Sequence, residues 1–319
     1  MGLLTNLFGK QDVPGTPALK TAVEHAVSAV EPLLVQTRGY PDRYHHPVSV
    51  AMAYARQLAE SLPGPIRIDR DAYAGDAFVH ALFPDVNAIA DAIASSLSMQ
   101  EYLRNSPSGS EFYALMGMRR VDRQLMGMEL AGPTVQREVV QQATYFISHT
   151  MENPAPDEAL AREKIATQFF HSLVGKVKAR IEQRRQNKEA MLTERNNLMP
   201  RLHSADDIER AAIEERLTML ADGLQSIIES LELDHYLEDF EAVLLHPEEY
   251  LHLNQTSIRL DSMGIRRTTD DTEQGQEFTL SELIGYDRRD WTVTIVRCAN
   301  LQFETFAEKL DKAYRYLTL

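Results

Sequence analysis

The sequence predicts a mainly α-helical protein: a multi-helix N-terminal domain, a long antiparallel helical hairpin of coiled-coil type, and a small C-terminal α+β module. Three observations predict it. Apolar residues recur at helical spacing between Pro/Gly breaks as far as residue 155. The stretch 157–199 holds no proline and a single glycine, Gly175. Ile213, Leu217, Leu220, Leu224, Ile227 and Leu231 are spaced 4, 3, 4, 3, 4, the interval of a helix-pairing seam.

Residues 1–15 form an N-terminal arm, either flexible or amphipathic. Leu3, Leu4, Leu7 and Phe8 stand at helical spacing, and Pro14-Gly15-Thr16-Pro17 ends the segment. Such a foot can dock on the protein's own helices or touch a membrane surface or a partner groove. Gly2 starts a myristoylation-like pattern, which Asn6 breaks where Ser or Thr is required.

Residues 16–155 are expected to fold as a helical domain. Leu19, Val23, Ala26, Val27, Val30, Leu33 and Leu34 line one face of a helix over 18–36, stopped by Gly39-Tyr40-Pro41-Asp42. A second helix spans 47–62, ended by Pro63-Gly64-Pro65. Two more share 71–104, broken at Pro84. Turn clusters at Ser106-Pro107-Ser108-Gly109-Ser110, Gly132-Pro133-Thr134 and Asn153-Pro154-Ala155-Pro156 divide what remains, so some six or seven helices are expected.

Residues 156–246 are the expected hairpin. Ile165, Phe169, Leu173, Val177 and Ile181 form one stripe, while 182–189 is polar throughout and reads as solvated. The bend falls at 200–204 with Ser204 as N-cap. Folding there sets Lys176 near Glu229, and Lys188 near Glu215 and Arg216. The basic run Lys176, Lys178, Arg180, Arg184, Arg185 and Lys188 reads as pairing with neighbouring acids or facing water.

Residues 247–319 read as a small α+β module. Ile258/Leu260 and Phe278/Leu280 alternate with polar residues, and Trp291-Thr292-Val293-Thr294-Ile295-Val296 is β-branched-rich, all marks of short antiparallel strands. Residues 285–290 would join the last two strands. An acidic stretch at 268–276 reads as mobile, and Phe303, Phe306, Leu310, Ala313, Tyr314 and Leu317 mark a final helix over 302–317.

Composition narrows the function classes. A net charge of -14 and a pI near 5.2 disfavour nucleic acid as a partner. One cysteine, Cys298, precludes an intramolecular disulfide and fits a reducing, cytoplasmic setting. No apolar run of 18 residues occurs, and no secretory signal is read. Phosphate-loop, dinucleotide-loop, nucleophile-elbow and zinc-protease motifs are missing, and no cofactor is expected.

Two clusters nonetheless carry reactive residue types. Asp42, His45 and His46, beside Tyr40, Arg43 and Tyr44 and followed by Asp69, Asp71, Asp76 and His80, hold the carboxylates and imidazoles that acid–base hydrolysis uses; helix capping accounts for the same residues. Glu232 with His235 and Glu249 with His252 have the Glu-x-x-His spacing of helical di-iron sites, but 17 residues and Pro247 separate the pairs. The tetrapeptide Leu115-Met116-Gly117-Met118 recurs as Leu125-Met126-Gly127-Met128, read as core filling within a helix or as an adaptable partner-binding helix. The leading expectation is a non-enzymatic interaction or assembly protein, self-associating through the seam of Ile213, Leu217, Leu220, Leu224, Ile227 and Leu231. The alternatives are an acid–base hydrolase using Asp42, His45 and His46, and a peripheral membrane protein using the N-terminal arm.

Overall fold

The computed structural model describes residues 17–107, 110–131, 134–261, 264–267, 275–285, 291–298 and 314–315. The N-terminal arm with Leu3, Leu4, Leu7 and Phe8, nearly all of 268–276 and 285–290, and the final helix except Tyr314 and Arg315 lie outside them. In chain order come α1 (Pro17–Val30), α2 (Asp42–Glu60), β1 (Ile66–Arg67), α3 (Arg70–Gly75), α4 (Ala77–Leu82), α5 (Val86–Ser95) and α6 (Leu97–Asn105). Two long strands follow, β2 (Phe112–Ala131) and β3 (Thr134–Ala155). Then come α7 (Glu158–Ser204), α8 (Asp207–Ser230), α9 (Leu233–Leu244), β4 (His252–Leu260), β5 (Gln276–Ile284) and β6 (Trp291–Cys298). The chain divides into two compact units, each built from separated stretches: Met1–Arg56 with Thr167–Tyr250, and Gln57–Ala166 with Leu251–Leu319.

The first unit is helical. In α1, Leu19, Ala22, Val23, Ala26, Val27 and Val30 are buried, as its 3.6-residue apolar period demands. The 47-residue α7 runs through Pro200 to Ser204, beyond the expected bend. Asn196, whose carbonyl that proline frees, is exposed, so water can satisfy it. The cap of α8 is accordingly Asp206, not Ser204: its carboxylate accepts the Glu209 amide at 2.9 Å. Antiparallel pairing of α7 and α8 is pinned by Arg216 donating to both carboxylate oxygens of Glu194 at 2.6 and 2.9 Å, by Arg201 donating to Glu209 at 2.8 Å, and by Met191 lying against Gly223. Glu194 rather than Lys188 thus meets Arg216, because the turn sits later than expected.

The polar stretch of α7 is not simply solvated. Arg180 donates to Asp239 at 3.2 Å, Arg184 donates to the other oxygen of that carboxylate, and Arg185 bonds Glu31 and, at 3.3 Å, the Tyr236 hydroxyl. Asp239 is buried on α9, so a charge that costs free energy to desolvate is held by two guanidinium groups and tethers α9 to α7.

The second unit overturns the expectation of a mainly α chain with a small α+β appendix. Residues 112–155 are not helices but a two-stranded hairpin, β2 and β3, paired from Tyr113↔Ala155 to Ala131↔Thr134. The strands read near the C-terminus form no separate module: β6 pairs antiparallel with β2 over Phe112↔Cys298 to Met118↔Thr292, giving a sheet of order β3-β2-β6-β5-β4 with β1 parallel to β6. Helix propensity misled because Leu, Met, Gln, Arg and Glu abound here, whereas each strand is held by pairing with the other and, at the base of β2, with β6 from residues 291–298. The 71–104 region likewise holds four short helices rather than two. Asp69, Asp76 and Asp85 each accept backbone amides at the start of one, for instance Ala72 at 2.8 Å and Asn87 at 2.7 Å.

Pairing between β2 and β3 shifts register at three places, each leaving one extra residue on β3. Near each shift a residue takes a left-handed conformation: Asn153 (φ 55°), Ser148 (φ 56°) and Glu138 (φ 62°). Such bulges bend and twist a strand. The sheet curls far enough that residues 264–267, following β4, reach both ends of it: Leu260↔Arg266 and Ala143↔Ile265 are bridged, with Thr144 donating to Gly264 at 2.8 Å and Arg266 to Gln142 at 2.7 Å. The core lies in the concavity, where Phe112, Ala114, Met116, Met118, Phe146, Met151, Ile258, Leu260, Phe278, Leu280, Val296 and Cys298 meet Val79, Leu82, Phe83, Ile89, Ile93 and Met99 from the short helices.

Candidate interaction surface

Alternation along β2 puts Phe112, Ala114, Met116 and Met118 on the core face. Pairing with β6 ends at Met118, while pairing with β3 continues for the rest of the strand. At its base this continuation is anchored: Arg120 forms an ion pair with Glu282 at 2.6 Å and lies 3.5 Å from Asp122, and the Thr144 hydroxyl donates to Asp122 at 2.6 Å. Arg123 lies over the Tyr145 ring, 5.4 Å from its centroid. Beyond residue 124 the hairpin is an arm.

Two copies of one tetrapeptide meet opposite fates on this strand. Leu115, Met116 and Met118 are buried, whereas Leu125, Met126 and Met128 are 46%, 68% and 66% exposed, and Val140, directly opposite Met126, is 61% exposed. Neighbouring large apolar side chains left in water are the signature of a surface meant to be covered. Gly127 has its own local reason: Gln141 reaches across it to donate to the Met128 carbonyl at 3.1 Å, and a Cβ would collide with that amide.

The two edges of the hairpin are treated differently at the base of the arm. On β3 the outer edge is covered at 142–144 by residues 264–266, the kind of guard that stops unplanned strand pairing. On β2, among the described residues, no strand or loop backbone bonds the edge past Met118. An open edge flanked by exposed Leu and Met can accept a strand, with backbone bonds supplying affinity and the side chains on either face supplying selectivity.

The residues singled out from sequence lie elsewhere. His45 Nδ1 is 3.7 Å from Asp42, one turn away on α2, and Asp42 is fully in solvent. His45 Nε2 is buried without a hydrogen-bond partner, while His46, the next residue, is turned about 100° around the helix and exposed. The pair therefore diverges. His80 belongs to the other unit, where it is exposed and lies 4.9 Å from the Tyr73 ring. Asp69 and Asp76 are helix caps.

Glu232 is the N-cap of α9, His235 contacts Glu238 at 3.2 Å, Glu249 ends a short 3-10 turn and His252 opens β4, so the second Glu-x-x-His pair does not share a helix face. No group of three or more His, Cys, Asp or Glu suited to a metal occurs among the described residues. Of the seam, Ile213, Leu220 and Leu224 are buried, and Leu217, Ile227 and Leu231 are half-buried, within a single chain. Among the described residues no helix is long and apolar enough to cross a membrane.

Sequence reading found the repeated tetrapeptide but assigned it to a helix. The signals for a strand were the alternation Phe112/Ala114/Met116/Met118 and the β-branched and aromatic run Val139, Val140, Thr144, Tyr145, Phe146 and Ile147 after Gly132-Pro133. No protein-family model matches this chain, and no curated protein or solved structure matches it either.

Proposed function

We propose that this chain is a non-enzymatic interaction or assembly protein, and that its working surface is the outer part of the β2–β3 hairpin. One observation carries the reading: Leu125, Met126 and Met128 stand exposed on β2, whose edge past Met118 is unpaired among the described residues, and Val140, opposite Met126 on β3, is exposed with them. A strand partner would satisfy backbone groups and bury apolar side chains together, and methionines adapt to the partner's shape. The seam on α8 is the weaker surface, since half of its side chains are already buried within the chain.

The test is site-specific photo-crosslinking of the full chain in the cells that make it, with the reactive group at Met126 or Val140 and, as control, at exposed Ala211 on α8. A discrete adduct from the two arm positions only, its second component identified by peptide mass, supports the proposal. Equal or absent adducts at all three positions refute it.

A further inference from the structure

Resting on that reading, we infer that the arm carries an oxidation-sensitive pair, Met126 and Met128: a hydroperoxide converts both thioethers to sulfoxides, which turns this face of the hairpin polar and releases the partner it holds. The structure sets these two sulfurs apart. Met126 and Met128 are the most exposed of the described methionines at 68% and 66%, whereas Met52, Met99, Met116, Met118 and Met151 are fully buried. The two copies of one tetrapeptide thus differ in access to a dissolved oxidant although their local sequence is the same.

Placement gives the modification its effect. Each register shift against β3 leaves its extra residue on β3, so alternation along β2 runs unbroken and puts Met126 and Met128 on one face, about 7 Å apart along the strand. Val140 stands directly opposite Met126 and is exposed with it, so the three side chains make one apolar patch. A sulfoxide oxygen is a hydrogen-bond acceptor; covering two of them without donors costs free energy, where covering two thioethers gains it. Met199 and Met219, the other exposed methionines among the described residues, stand one helical turn from Arg195 and Asn196 and from Glu215 and Asp222, so a sulfoxide there joins a face that is already polar.

The step balances with the oxidant alone. A sulfur lone pair attacks the outer oxygen of the hydroperoxide, and the S–O bond forms as the O–O bond breaks. Sulfur is oxidised and the peroxide reduced, and the departing alkoxide or hydroxide takes up the hydroperoxide's proton and leaves as alcohol or water. A methionine sulfoxide reductase reverses the change.

The experiment uses the full chain treated with dilute hydrogen peroxide. Peptide mass spectrometry over time should show oxygen added at Met126 and Met128 at least about tenfold faster than at Met116 and Met118. Retention on a hydrophobic-interaction column should fall in step, and the Met126→Leu/Met128→Leu variant, which keeps the apolar volume, should lose less than about half as much. With the photo-reactive group at Val140, peroxide should abolish the adduct of the parent chain and leave that of the leucine variant, and a sulfoxide reductase should restore the former.

Arm methionines that oxidise no faster than Met116 and Met118 overturn the inference, as does an adduct that survives full oxidation of both, or a leucine variant that loses adduct or retention as the parent does. A circular dichroism spectrum changed by the treatment counts against it equally, since the loss would then be one of fold. No adduct even before peroxide refutes the interaction reading instead, and column retention then decides alone whether the pair switches the polarity of the arm.

Discussion

Acidification should loosen the helical unit through one stacked, half-buried imidazole pair. The rings of His25 on α1 and His171 on α7 stack with centroids 4.5 Å apart, and His25 Nδ1 and His171 Nε2 are both buried without hydrogen-bond partners. Burial, and secondarily the neighbouring His25, push the His171 pKa down from 6.5 to about 4. Because its pKa is depressed on folding, His171 binds a proton more readily in the unfolded chain. Its contribution to stability is therefore full above about pH 6.5 and is lost as the pH falls through the window down to about 4.

At about 1.36 kcal/mol per pH unit the whole window corresponds to roughly 3.4 kcal/mol. Both side chains are only half-buried, so solvent screens much of this, and about 1.5 kcal/mol is expected, of which ~1 kcal/mol appears between pH 7 and pH 4.5. His171→Leu removes the titrating group and keeps an apolar side chain in its place. Urea unfolding followed by circular dichroism at several pH values should show the wild type losing about 1 kcal/mol more than the variant over that range. Parallel curves for the two proteins, within about 0.3 kcal/mol, would refute the reasoning that desolvation of His171 is felt by the fold.

Two glycines should respond oppositely to a methyl group. Gly64 has φ +106° and a Cβ there would collide with the backbone carbonyl of Ile295, so Gly64→Ala should cost about 3 kcal/mol or more; at Gly127 the obstacle is the mobile end of Gln141, and Gly127→Ala should cost less than about 1 kcal/mol. Thermal melts separate these, and equal losses would show the steric argument to be wrong. At the tether of α9, Asp239→Leu alone should destabilise by about 2 kcal/mol by leaving Arg180 and Arg184 uncompensated, and adding Arg184→Met should recover part of that loss. Simple additivity in such a double-mutant cycle would mean the ion pair is not coupled.

The arm shows how much of a surface can be read from a chain. The repeated Leu-Met-Gly-Met is visible in the sequence, but both copies look alike there; only β6, arriving from residues 291–298, covers the first and leaves the second bare. His45 and His46 lie side by side in the chain yet diverge on α2, because adjacency along a helix means separation around it.

What the sequence determined alone is local. The apolar period of α1, the Pro-free helix-forming composition of α7 up to Pro200 and the Asp caps that start α3, α4, α5 and α8 each act within a few residues, since a helix closes its hydrogen bonds on its own backbone. The tertiary structure alone decided that β6 would join β2 and that bulges at Glu138, Ser148 and Asn153 would curl the sheet. A strand bonds only to a neighbour, and when that neighbour lies more than a hundred residues away no local pattern can name it.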